Sequence, residues 1–90
     1  MLKMYSTTWC PDCRRAKRFL TERQIAFEEI NIEEAPEAAA WVIEQNQGKR
    51  KVPTFDRDGH SFACSPFDAA VLRRELGLEK EGGAGAGGGA

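Results

Sequence analysis

Ninety residues carrying a formal net charge of -1 make one small domain with room for a single core, and so balanced a charge gives no reason to expect nucleic-acid binding. Three cysteines are too few and too uneven for a secreted disulfide framework, and no apolar run approaches the ~20 residues of a membrane span. Lys3 and Ser6-Thr7-Thr8 interrupt any signal-peptide core, so the chain is expected to be a cytoplasmic monomer without membrane association.

Leu2 to Tyr5 reads as a first, central strand, followed by a loop over Ser6 to Trp9. A helix from Pro11 to about Arg23 sets Cys13, Ala16, Phe19 and Leu20 on its apolar side, with Arg14, Arg15, Lys17 and Arg18 on the others. Ile25 to Ile32 fits a second strand ending near Asn31. A second helix runs from about Ala35 to Gln47, with Pro36 early in it, acidic residues at its start and Gly48 as its stop. Lys49-Arg50-Lys51 leads into Val52-Pro53-Thr54-Phe55, a loop entering a third strand. Asp58-Gly59 signals a hairpin, and His60 to Cys64 forms the returning fourth strand. Ser65 is placed as N-cap and Pro66 in the first turn of a last helix, whose apolar side is Phe67, Ala70, Val71, Leu72 and Leu76 and whose stop is Gly77. The domain is set at residues 1–79. Residues 80–90, rich in glycine and alanine, have nothing to bury and are expected to be a flexible tail. The order βαβαββα combines one parallel crossover with an antiparallel hairpin: an α/β arrangement of a four-stranded mixed sheet flanked by three helices.

The chemistry centres on Trp9-Cys10-Pro11-Asp12-Cys13. Proline suits a helix's first position, which puts Cys10 at the N-terminus, where unpaired N–H groups and the helix dipole favour an anion. A thiolate is such an anion, so Cys10 is the candidate nucleophile and Cys13, one turn on, the candidate resolving thiol. CxxC beside a strand–helix–strand pattern reads as a redox motif. Asp12 opposes ionisation of Cys10 by like charge, while Arg14, Arg15 and Lys51 favour it, giving an expected net lowering of the Cys10 pKa. As a structural residue, Asp12 is a solvated acid in a first helical turn.

Cys10, Cys13, Cys64 and His60 could supply a zinc set on paper, but one CxxC with a distant Cys and His lacks the usual spacing, and an iron–sulfur cluster wants more thiolates. Cys64 reads as a small buried apolar residue, or alternatively as a regulatory thiol. Lys49-Arg50-Lys51 reads either as a solvated loop or as a lure for carboxylates, with the planar fork of Arg50 best suited to the second role. Trp9 belongs to a substrate surface, Trp41 to the core, and His60 to an exposed strand position.

These segments resemble the glutaredoxin family from Leu2 to about Leu78. Tyr5 with Trp9-Cys10-Pro11-Asp12-Cys13 and Ala16-Lys17 is similar to the family's strand end, active-site motif and following Ala-Lys. Val52-Pro53-Thr54 resembles the segment whose proline is cis and lies against the active-site disulfide. Ala63-Cys64-Ser65-Pro66 with Asp68 falls where the family binds the γ-glutamyl end of a thiol. Met4 to Cys10 and the basic residues before Val52 are most similar to mycoredoxin-like members.

The resemblance implies a thioredoxin-like fold and thiol–disulfide exchange by Cys10 and Cys13 on protein disulfides and mixed disulfides. It implies a cis Val52–Pro53 bond that presents Val52 to an extended substrate, and a thiol- and substrate-binding set of Trp9, Pro11, Asp12, Arg50, Lys51, Val52, Pro53, Cys64, Ser65 and Asp68. No bound cofactor or metal is implied; the co-substrate is a low-molecular-weight thiol, whether glutathione, mycothiol or bacillithiol. The partners are oxidised proteins and either that thiol or a flavoprotein reductase. Asp12 stands where the family usually has Tyr, Thr7 where many members have Lys, and Ala63-Cys64 where glutathione users have Gly-Gly, which argues against glutathione. Two rival readings are a thioredoxin-type electron donor to ribonucleotide reductase, reduced by a flavoprotein, and a metal or iron–sulfur module using Cys10.

Overall fold

The structure is a computed structural model describing residues 1–78; the expected boundary at 79 and the tail over 80–90 lie outside the described residues. Its elements are β1 (Leu2–Ser6), α1 (Pro11–Glu22), β2 (Phe27–Asn31), α2 (Pro36–Gln45), β3 (Thr54–Arg57), β4 (His60–Ala63) and α3 (Ala69–Glu75). The strands lie in the order β2-β1-β3-β4, with β1 parallel to β2 and antiparallel to β3, and β3 antiparallel to β4. This is the thioredoxin-like arrangement expected, with β1 inside the sheet.

Alternation along β1 divides the interior. Leu2 and Met4 join Ala16, Phe19 and Leu20 of α1, Phe55 of β3 and Leu72 of α3 in one apolar cluster. Tyr5 turns to the other face and joins Ile32, Val42 and Val52, where the half-buried Trp41 lies 4.6 Å from its ring. Trp41 therefore lines the core's edge and is not sealed within it. Met4, Leu20, Val42, Phe55 and Leu72 are wholly inaccessible, and burying a side chain of this kind stabilises by roughly 1.5–3 kcal/mol.

The three helices among the described residues stop in the same way, with a residue in the left-handed region and the next N–H returning to the last turn. Gln24 (φ 57°), Gln47 (φ 56°) and Gly77 (φ 73°) take the left-handed position. The following N–H groups donate from Ile25 to Leu20, Gly48 to Ile43 and Leu78 to Arg73. Gly48, the expected stop for α2, shares that role with Gln47: it too has a positive φ, of 88°, and its N–H closes the turn.

The start of α3 also departs from the reading. Ser65–Pro66 is a second cis bond and neither residue is in the helix. The Cys64 thiol donates to the Asp68 carbonyl at 3.4 Å and its sulfur accepts the Asp68 N–H at 3.3 Å, folding residues 64–68 into a tight loop. Asp68 is then the N-cap, its Oδ1 accepting the Ala70 N–H at 2.9 Å.

Candidate active site

The end of β1 delivers Ser6 to Trp9, and Pro11 starts α1 at once, so Cys10 becomes that helix's N-cap in an extended conformation (φ -82°, ψ 116°). Its sulfur occupies the capping position in place of a hydroxyl, accepting the Cys13 N–H at 3.2 Å. Its thiol proton faces the Val52 carbonyl at 3.6 Å. Val52 precedes Pro53 across a cis bond, so the proline loop lies against the dithiol as the resemblance implied. Both thiols are free and buried, Cys10 with 4% and Cys13 with 2% of its surface exposed.

The two sulfurs are not equivalent. Burial, followed by a thiol–thiol contact with Cys10, pushes the Cys13 thiol up to about 12. A Thr7 backbone hydrogen bond offsets part of that rise, whereas the Glu29 charge adds to it. Cys13 is thus held as a thiol while Cys10 lies on the positive end of α1. Thr7 is itself buried, and its hydroxyl is without a hydrogen-bond partner among the described residues.

The proline loop is braced from beneath. Thr54 Oγ1 donates to the Lys51 carbonyl at 2.7 Å and accepts from Asn46 Nδ2 at 3.1 Å, and the same amide nitrogen donates to the Val42 carbonyl at 2.7 Å. The Cys64 N–H donates to the Pro53 carbonyl at 3.0 Å, tying β4's end to the loop. On the opposite side Trp9, 63% exposed, donates its indole N–H to Glu33 at 2.8 Å. Asn46 and Glu33 were not singled out in the sequence as site residues; the Asn46–Thr54 and Trp9–Glu33 bonds each span more than seven residues, beyond any local motif.

The remaining expected site residues separate into groups. Pro11 and Asp12 are in the first turn of α1, where Asp12 pairs with Arg15 at 3.2 Å. That acid thus has a cationic partner on its own helix. Arg50 is exposed and Lys51 half-buried, and neither side chain has an ion pair among the described residues. Cys64 is buried, with its pKa raised by that burial, so it behaves as the small buried residue. The Asp68 carboxylate caps α3, and Ser65 is half-buried beside it.

His60 lies at the far pole. It pairs with Arg57 in the β3–β4 register, Arg57 pairs with Leu2, and its ring bonds Glu75 at 2.9 Å. Cys10 follows the other end of β1, so the zinc set drawn on paper does not converge. Among the described residues no three His, Cys, Asp or Glu side chains meet as metal ligands would.

A mixed four-stranded sheet with a buried dithiol at a helix N-terminus, faced by a cis-proline loop, defines a thioredoxin-like thiol–disulfide oxidoreductase. The glutaredoxin family model matches residues 2–61. The glutaredoxin-like protein NrdH of Lactococcus lactis is 41% identical over 74 residues, covering 82% of this chain and 97% of that protein. Mycoredoxin 1 of Corynebacterium glutamicum is 32% identical over 71 residues, covering 79% and 87%. Among solved structures, NrdH-redoxin of Escherichia coli, a glutaredoxin-like protein with a thioredoxin-like activity profile, superposes with a TM-score of 0.68 at 29% identity, covering 81% of this chain and 91% of that one. The chain belongs to the glutaredoxin family.

Proposed function

We propose that this oxidoreductase reduces protein disulfides and mixed disulfides between proteins and a low-molecular-weight thiol, with Cys10 attacking and Cys13 resolving. The carrying observation is the asymmetry of the pair: Cys10 caps α1 against the Val52 carbonyl, while burial keeps Cys13 protonated. In the first step the Cys10 thiolate displaces one half of the substrate disulfide as a thiolate and keeps the other half. In the second, Cys13 loses its proton to solvent and attacks Cys10, releasing the retained half and closing Cys10–Cys13. A reductant then restores both thiols. Val52 offers backbone groups to the substrate chain, and Trp9, Arg50 and Lys51 border it. Among glutathione, mycothiol and bacillithiol, kinship with a mycoredoxin favours mycothiol.

A second reading has its own support. The NrdH relatives, one of them with a thioredoxin-like activity profile, favour a thioredoxin-type electron donor that serves ribonucleotide reductase and is itself reduced by a flavoprotein reductase. One experiment separates the two: turnover of a single mixed-disulfide substrate with glutathione, mycothiol, bacillithiol or thioredoxin reductase as sole reductant. Turnover with a small thiol supports the first reading and turnover with the flavoprotein alone the second. Turnover with none overturns both.

A further inference from the structure

The basic face of α1 is not used by the chemistry above. Pro11, Arg14, Arg15 and Arg18 line an open groove of about 450 Å³ along the outside of the helix. Arg14 and Arg18 continue into an adjoining hollow of about 380 Å³ with Lys17, Thr21 and Glu22. These side chains are at helical spacing, so they form one stripe that begins beside Cys10 and leads away from it.

Their charge is available. Arg14 has no ion pair among the described residues. Arg15 and Arg18 are 62% and 80% exposed, and their partners Asp12 and Glu22 sit on the same helix at 3.2 and 3.6 Å. Exposed pairs of this kind are weak and yield readily to a better-placed carboxylate. In a chain whose net charge is -1, a stripe of arginines at the active-site end is a local excess, and its chemical complement is a run of Asp and Glu.

We propose that the α1 stripe docks an acidic segment flanking the target cysteine of a protein substrate. The inference rests on the reading that Cys10 is the attacking sulfur, and it adds a distance rule. At 1.5 Å per residue, Arg14 and Arg18 stand about 6 and about 12 Å along the helix from Cys10. An extended peptide advances ~3.3 Å per residue, so the acids recognised lie about two to four residues from the substrate cysteine. Arg14 reads the nearer acid and Arg18 the farther, each able to hold a carboxylate with two N–H groups.

The test uses two peptide mixed disulfides of identical composition, with Asp at the second and fourth positions from the cysteine or at the ninth and eleventh. The near-acid peptide is expected to show a kcat/KM at least about fivefold higher, carried by KM and lost at high salt. Arg18→Gln should remove much of that advantage while leaving turnover of a small uncharged disulfide unchanged. Arg18→Glu should prefer a peptide with Lys at the fourth position, a swap that general damage to the helix would not produce. Equal rates for the two peptides would mean long-range attraction alone and would overturn the docking. So would an advantage that survives in both Arg18 variants, or equal competition by single-stranded DNA and by an acidic peptide. Failure of the unmodified protein on the small disulfide would overturn the exchange reading and the docking with it; normal turnover there with no positional preference overturns the docking alone.

Discussion

Cys10 and Cys13 differ by three positions in sequence and by their whole environment in space. The proposed division of labour gives each a distinct mutational outcome. Cys10→Ser is expected to abolish turnover. Cys13→Ser should still react once and then accumulate a mixed disulfide on Cys10, visible by mass spectrometry as the protein plus the retained half of the substrate. Full activity in Cys10→Ser would refute the assignment. The raised pKa of Cys13 also makes stability depend on pH. In the unfolded chain its thiol ionises near the ordinary 9.0, whereas in the native state it keeps its proton to about 12, so the unfolded state sheds its proton first. That stabilisation is whole below pH 9 and is lost as the pH rises from about 9 to about 12. Urea midpoints of the reduced protein should fall across that window. The oxidised protein, with no thiol at Cys13, should fall less, keeping only the share that buried Cys64 contributes. Of the site itself, the CxxC was legible because helix-terminus chemistry is a local pattern, and the proline loop was legible through the resemblance of Val52-Pro53-Thr54 to the glutaredoxin segment. Glu33 under Trp9, and Asn46 with Thr54 under Pro53, were not, because only the fold brings them to their partners.

Helix starts and stops show which local rules were decisive. Pro11 and Pro36 begin α1 and α2 as expected of prolines in a first turn. Ser65-Pro66 carries the same signal and misleads, because Cys64 draws Asp68 back onto its own sulfur and the aspartate caps α3. Asp68→Ala should therefore cost about 1 kcal/mol in denaturant unfolding, whereas Ser65→Ala should cost little. The stops were read from Gly48 and Gly77, and both carry a positive φ, but Gln24 and Gln47 take left-handed conformations too, without glycine's freedom. Gln47→Gly relieves that conformation and should stabilise by about 0.5–1 kcal/mol, read as a raised urea midpoint. If the midpoint dropped, the entropy of the added glycine would outweigh the relief.

On the scale of the whole molecule, the sheet makes the site by holding two loops at one pole. β1 brings the Cys10 loop up from one cluster of side chains, and β3 starts immediately after the proline loop, its Thr54 opposite Tyr5. The mixed four-stranded sheet followed from the order of elements, a parallel crossover and then a hairpin, whereas the proline loop's place beside the CxxC followed from the resemblance to glutaredoxins. The pairing of distant charges did not follow, as with Lys17 and Glu29 at 2.8 Å. Phe55, at the centre of the sheet with no exposed surface, couples the proline loop to the core. Phe55→Ala should cost about 3–5 kcal/mol and lower activity and stability together, monitored by thermal unfolding alongside turnover.

The two indoles of this protein live in opposite worlds. Trp41 rests on a tyrosine at the core's margin, whereas Trp9 is largely exposed with one end anchored to a carboxylate, directly before Cys10 in the chain. On the proposed mechanism, a group captured at Cys10 should change the surroundings of the outer ring more than those of the inner one. The molecule thus carries its own optical gauge: in a Trp41→Phe background, emission from the remaining indole should report each capture and release as it happens, without an added dye.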